Sequence, residues 1–220
     1  MKNSLLLRIG LVLALYLAVT FFGGEIGRKM MYPVVLLVTF LHEFGHALGA
    51  IFTGGSVEAL QINGDGSGYA VTRGGSTQII LMGGYLGSAI LGNLLFYLGA
   101  IGNKAAKVTT YVLAGFMVLS AILWFNSFYT TGFLLLFAGV LYLVASKTDM
   151  EGEFLMFLGL ASILHIIQDF NVGPRSDLEK YAEHMAFIPV AVWMYLWLGV
   201  AIFFTLINLR MIIRLNREKY

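Results

Sequence analysis

The stretch from Val108 to Ala145 contains no Asp, Glu, Lys or Arg. A bilayer core about 30 Å thick takes roughly 20 apolar residues in a helix, so this run is nearly twice the length of one crossing. It must therefore turn back on itself, and Asn126-Ser127 is its most polar point. Further apolar segments lie at Leu5–Phe22, Pro33–Phe52, Thr77–Ile101, Phe154–Phe170 and Phe187–Met211, making seven candidate spans. Across the chain 59% of residues are hydrophobic and only 12% are charged. A soluble domain carries roughly 25% charged residues to coat its surface. A soluble enzyme, a disordered regulator and a nucleic-acid-binding module are thereby excluded. The expected fold is an all-α polytopic membrane protein of about seven transmembrane helices, one domain over residues 1–220, with a lipid bilayer as its surroundings.

One segment departs from helix. Ser56–Gly75 contains Asn63-Gly64 and Asp65-Gly66, dipeptides that favour tight hairpin turns. Val57–Ile62 and Tyr69–Thr72 flank them and predict a small β-hairpin between spans two and three. Asp65 reads as a turn former. The first span reads as a retained anchor, because Arg8 interrupts it and Val19-Thr20-Phe21-Phe22 is a poor signal-peptide cleavage site.

Strict alternation of seven spans would place Arg28, Lys29, Lys104, Lys107, Lys147, Arg210, Arg214, Arg217 and Lys219 on one side. Lys2, Arg8, Arg73, Arg175 and Lys180 would lie on the other. Basic residues favour the cytoplasmic side, which predicts a cytoplasmic C-terminus and an N-terminus outside.

Ionisable groups within a span are costly and mark function by default. Five stand well inside these spans: His42, Glu43 and His46 in the second, and His165 and Asp169 in the sixth. The second span reads Leu41-His42-Glu43-Phe44-Gly45-His46-Ala47, which is H-E-x-x-H on an apolar helix. Residues four apart lie one turn above each other, offset by about 40°. Two imidazoles so placed converge on one zinc ion, while the Glu between them sits about 100° round, placed to hydrogen-bond a water as general base. The chain has no cysteine, so thiolates are not available as ligands. A catalytic zinc site wants three protein ligands and an open position. Asp169, four residues after His165, is the expected third ligand, and Asp177 is its competitor. Ser176-Asp177-Leu178-Glu179 after Gly173-Pro174 reads as a capping box that opens another helix. His165 is either a group near the site or a packing histidine. Asn93, a lone amide in span three, needs a partner from another helix or from a bound peptide. The small residues Gly83, Gly84, Gly87, Ser88 and Gly92, with Gly45 and Gly49, favour close helix packing.

These residues resemble the site-2 proteases, the intramembrane zinc metallopeptidases, and in particular a short single-domain branch. The resemblance runs roughly from Pro33 to Trp197. It is carried by His42-Glu43-Phe44-Gly45-His46-Ala47, Thr53-Gly54-Gly55, Gly64-Asp65-Gly66-Ser67-Gly68, Thr72-Arg73-Gly74-Gly75 and Gly84-Tyr85-Leu86-Gly87. Ser176-Asp177, Pro189 and Trp193 also fit. It implies a zinc-dependent endopeptidase acting on membrane proteins or peptides, with His42 and His46 as ligands and Glu43 as catalytic base. The wider family draws its third ligand from a Leu-Asp-Gly motif, whereas Asp169 here stands in Gln168-Asp169-Phe170. The family's Asn-Pro pairing is absent, and the length leaves no room for a substrate-selecting module of the PDZ type. Two other readings share the same residues: a membrane-embedded zinc hydrolase of lipid amides or esters, and a non-catalytic metal-binding membrane protein.

Overall fold

A computed structural model describes residues 4–168, 176–185 and 188–218. The first helix, α1, is Ser4–Leu17 and ends in a π-helical turn, Ala18–Phe22. α2 is Gly24–Phe52, and the hairpin follows as β1 Ser56–Ile62 and β2 Gly68–Arg73. α3 Thr77–Met82 passes through a second π-helical turn, Gly83–Gly87, into α4 Ser88–Ile101. Then come α5 Asn103–Leu123, α6 Phe128–Lys147, α7 Glu151–Gln168, the short α8 Asp177–His184 and α9 Val190–Glu218.

Six stretches among the described residues have the length and apolar character to cross a bilayer: Leu5–Phe22, Gly24–Phe52, Thr77–Ile101, Asn103–Leu123, Phe128–Lys147 and Val190–Leu215. Together with the small hairpin they bear out the all-α membrane fold. The break expected at Asn126-Ser127 is where α5 gives way to α6, and Ser127 caps α6 by accepting from the Thr130 N–H. The expected sixth span coincides with α7, its last two residues, Asp169 and Phe170, lying outside the described part. From Leu155 to Ile163 only Phe157 and Leu160 of this helix are partly exposed, so it is the centre of the bundle.

Two glycine pairs place α7 there. A Cβ on Gly159 would come within 2.5 Å of the Gly92 carbonyl, and one on Gly99 within 2.7 Å of the Gly152 carbonyl. Both pairs are spaced by two helical turns, so α4 and α7 run antiparallel with their backbones in contact. In lipid, where apolar side chains gain little by leaving their surroundings, this contact is what holds helices together.

The second span starts earlier than expected. α2 begins at Gly24 and continues through Pro33, which lies inside the helix. A proline is tolerated in a membrane helix because neighbouring groups and local adjustment absorb the lost hydrogen bond. Gly24 takes φ 55°, making the corner with α1.

Strict alternation of the spans does not hold. α1 lies parallel to α7, with Arg8 Nε 2.5 Å from Glu153 Oε1 and Tyr16 against Phe157. α9 lies parallel to α4, with Trp197 against Tyr85 and the Asn208 amide donating to the Asn93 carbonyl at 2.7 Å. The start of α1 and the end of α9 therefore share one end of the bundle, where Val12 and Ile212 join one apolar cluster. The physical reason is the Gly23-Gly24 corner: α2 packs mainly on the terminal turn of the first helix and does not double back along it.

The hairpin matches its expected strands to within a residue. Ser56 faces Arg73 and Ile62 faces Gly68 in an antiparallel register, with a bulge between Val57 and Ala59. Asp65 shapes the turn as expected, accepting from the Ser67 N–H and hydroxyl. Leu60 and Ile62 are 1% and 0% exposed and anchor β1 in the main core beside Phe40, Met117 and Leu134.

Substituting Gly159→Leu should therefore destabilise the fold by about 1–3 kcal/mol or more, the usual penalty for overpacking. Gly115→Leu is the control, because a Cβ there meets nothing within 4 Å. Thermal unfolding in detergent should drop for the first variant and hold for the second.

Candidate metal centre

The motif sits about two thirds of the way along α2, on the face that meets α3 and the second π-helical turn. Gly45 and Gly83 touch backbone to backbone there, a contact closer than any Cβ would allow. Gly84 lies over the imidazoles themselves: a Cβ would stand 2.5 Å from the Nε2 atoms of both His42 and His46. The π-helical turn aims Tyr85 edge-on at the His42 ring, with centroids 4.9 Å apart. Inserted π-turns occur frequently at functional sites because they redirect side chains.

His46 Nδ1 lies 2.6 Å from the Ile80 carbonyl. A carbonyl only accepts, so Nδ1 carries the proton and Nε2 is the atom turned into the site. Fixing the far nitrogen in this way is how metal-binding histidines are oriented. His42 Nε2 lies 3.2 Å from His46 Nε2. Asp177 Oδ2 is 3.0 Å from each of them. Burial pushes the Asp177 carboxyl up, but its hydrogen bonds with His42 and His46 outweigh that and hold it well below the usual carboxylate range.

The three atoms form a nearly equilateral triangle. Zinc ligands at about 2.0–2.1 Å, set tetrahedrally, stand about 3.3–3.4 Å apart. The observed edges of 3.0–3.2 Å match one face of that tetrahedron to within a few tenths of an ångström. His42, His46 and Asp177 are thus a donor set that fits a small divalent ion, with the fourth direction open to a cavity of about 710 Å³.

Glu43 is 5% exposed and lines the same cavity without joining the triangle. Gly68 in β2 makes room for it: a Cβ would come within 2.9 Å of Glu43 Cγ and 2.7 Å of Thr39 Cγ2. β2 borders the cavity through Gly68, Tyr69, Ala70 and Thr72. The outer edge of β1 is already occupied, because the Leu60 N–H bonds the Trp124 carbonyl and the Ile62 N–H bonds Thr130 Oγ1. Among the described residues the outer edge of β2 has no such partner and faces the site.

Of the residues singled out in the sequence, the fold brings His42, Glu43 and His46 together as expected. Asp169, the expected third ligand, lies outside the described residues, as does the side chain of His165. Asp177 instead meets both imidazoles. The signal for it was the capping box itself: Ser176 is the cap, accepting from the Glu179 N–H, so the carboxylate of Asp177 is left for another partner. Asn93 donates to Ala89 and Thr205 and accepts from Asn208, tying α4 to α9. Gly84 and Tyr85 stood out in the sequence only through the small-residue run and the Gly84-Tyr85-Leu86-Gly87 motif.

If this packing defines the site, Gly84→Ala should abolish uptake of a divalent transition ion while the protein keeps its helical content. Elemental analysis and circular dichroism of the purified variant would check both, with Gly132→Ala, which meets open space, as control.

Comparison with curated proteins and with solved structures returned no match. The Peptidase M50B-like family profile matches residues 9–208, spanning the motif helix, the hairpin, Asp177 and most of α9. This match agrees with the site-2 protease resemblance carried by the motifs, and the chain belongs to the Peptidase M50B-like family.

Proposed function

We propose that this protein is an intramembrane zinc-dependent endopeptidase, hydrolysing a peptide bond in or near a transmembrane segment. The observation that carries the reading is the triangle of His42, His46 and Asp177 with Glu43 buried beside it, on a cavity bordered by a free strand edge. His42 and His46 would hold Zn²⁺ with Asp177 as third ligand. A bound ion would supply Lewis acidity, bringing the pKa of a water at the site towards about 7. Glu43 takes the proton from the attacking water and returns it to the leaving amine. Gly84 leaves the imidazoles uncrowded, and Gly68 leaves room for Glu43 beside the cavity.

The substrate must present an unwound segment, because a helix hides its carbonyls in its own hydrogen bonds. The outer edge of β2 offers the backbone groups with which such a segment pairs as an added strand. That edge favours a peptide over an acyl chain, which has nothing to pair with it. The C-terminus is proposed to be cytoplasmic. Among the described residues, Arg8, Lys104, Lys107, Lys147, Arg210, Arg214 and Arg217 gather towards the end of the bundle that holds α1's start and α9's end. Arg28, Lys29, Arg73 and Lys180 lie elsewhere. The shared end brings the N-terminus to the same side.

The test is cleavage of a model transmembrane peptide carrying a helix-destabilising residue. Glu43→Gln should lower turnover by about 10²–10⁴-fold, the usual worth of a general base, with zinc content unchanged. Asp177→Ala should lose zinc and Asp169→Ala should keep it; the reverse result moves the third ligand to Asp169. Undiminished cleavage by Glu43→Gln would remove the mechanism.

The topology has its own check. Reporters fused at either terminus should both be active only on the cytoplasmic side. Opposite sides would contradict the parallel packing of α1 on α7.

A further inference from the structure

Hydrolysis by the mechanism above places negative charge on the carbonyl oxygen of the scissile bond. Glu43 handles the proton, but a carboxylate does nothing to stabilise that oxygen. Groups fixed where charge develops are usually the largest single contribution to rate. The group of the right sign stands in the cavity wall.

Lys180 is the cation among the described residues that line the cavity. It sits one turn after Asp177 on α8, with Nζ 3.9 Å from Asp177 Oδ1. The other oxygen of that carboxylate is the one 3.0 Å from both imidazole nitrogens. The ammonium thus stands beside the metal-binding triangle, on the cavity that Glu43 also lines. Three of the lining hydroxyls are committed elsewhere. Thr39 donates to the Val35 and Gly66 carbonyls, Ser88 to the Gly84 and Tyr85 carbonyls, and Ser67 to Asp65. The side chain of Lys180 is 51% exposed, so its head has room to meet a ligand.

We propose that Lys180 is a catalytic residue of this same reaction, its ammonium holding the carbonyl oxygen as it becomes an oxyanion. The inference rests on the protease reading. Water oxygen bonds to the carbonyl carbon, its proton passes to Glu43, and the π electron pair moves onto the oxygen facing Lys180. On collapse that pair re-forms the carbonyl, the C–N bond breaks, and Glu43 delivers the proton to the departing amine.

The experiment compares zinc-loaded wild type, Lys180→Ala and Lys180→Arg by turnover of the model peptide and by the affinities of two inhibitors. One inhibitor is a phosphinic peptide, whose tetrahedral anion mimics the oxyanion; the other is a peptide hydroxamate, which binds the metal without that mimicry. Lys180→Ala should lower kcat by about 10²-fold with KM little changed, as when an oxyanion donor is removed. It should weaken the phosphinic peptide by a similar factor and leave the hydroxamate and the zinc content as they are. Lys180→Arg, which keeps the charge, should recover most of both losses. If zinc content falls, or both inhibitors weaken equally, Lys180 acts only as a counter-ion for Asp177 and the proposal is overturned. Unchanged kcat overturns it as well. The ratio of the two affinities is read without turnover. A wild type that cleaves nothing would count against the protease reading, and the ratio would still decide the role of Lys180.

Discussion

The arrangement depends on backbone meeting backbone where α2 crosses the second π-helical turn. At Gly45 and Gly83 no side chain separates the two helices, and Gly84 leaves the space into which both imidazoles project. A single methyl group at Gly84 would reach the atoms that converge on Asp177. The same close approach brings the Ile80 carbonyl to His46, so the contact that packs the helices also sets the proton on the ring. Packing and chemistry here are one set of contacts.

The cost of placing ionisable groups in an apolar bundle explains why they cluster. An isolated imidazole or carboxylate in lipid is expensive, and such groups persist only when paired or facing a polar cavity. Asp177 arrives from a chain position 131 residues beyond His46, on a short helix that does not cross the membrane. Glu43 stays apart from the triangle because it lies about 100° round the helix from His42, against the hairpin. The helix period thus turns the two imidazoles one way and the carboxylate between them another.

Much of this was legible locally. Hydropathy gave the spans, Asn63-Gly64 and Asp65-Gly66 gave the hairpin, and Asn126-Ser127 gave the break between α5 and α6. The pairing of His42 with His46 follows from helix geometry alone. What the sequence obscured was set by contacts between distant segments. Pro33 looked like a helix start, yet the helix runs through it. Alternating spans predicted opposite ends for the termini, yet the Gly23-Gly24 corner and the Arg8–Glu153 ion pair bring them together. Asp177 read as part of a cap, because the bonds it makes to His42 and His46 leave no periodic trace in the chain.

The open edge of β2 has a consequence for solvent. Unpaired backbone groups facing hydrocarbon cost several kcal/mol each. Within a bilayer the outward N–H and C=O groups of this strand would therefore need water against them, in the cavity they border. A hydrolase within a membrane needs a supply of its second reactant, and on the proposed reading the strand edge would recruit it by the same unpaired groups that would later receive a peptide. An incoming strand would displace that layer as it pairs, leaving a drier site around Glu43. On that reading the hairpin would act first as a wick and then as a seal.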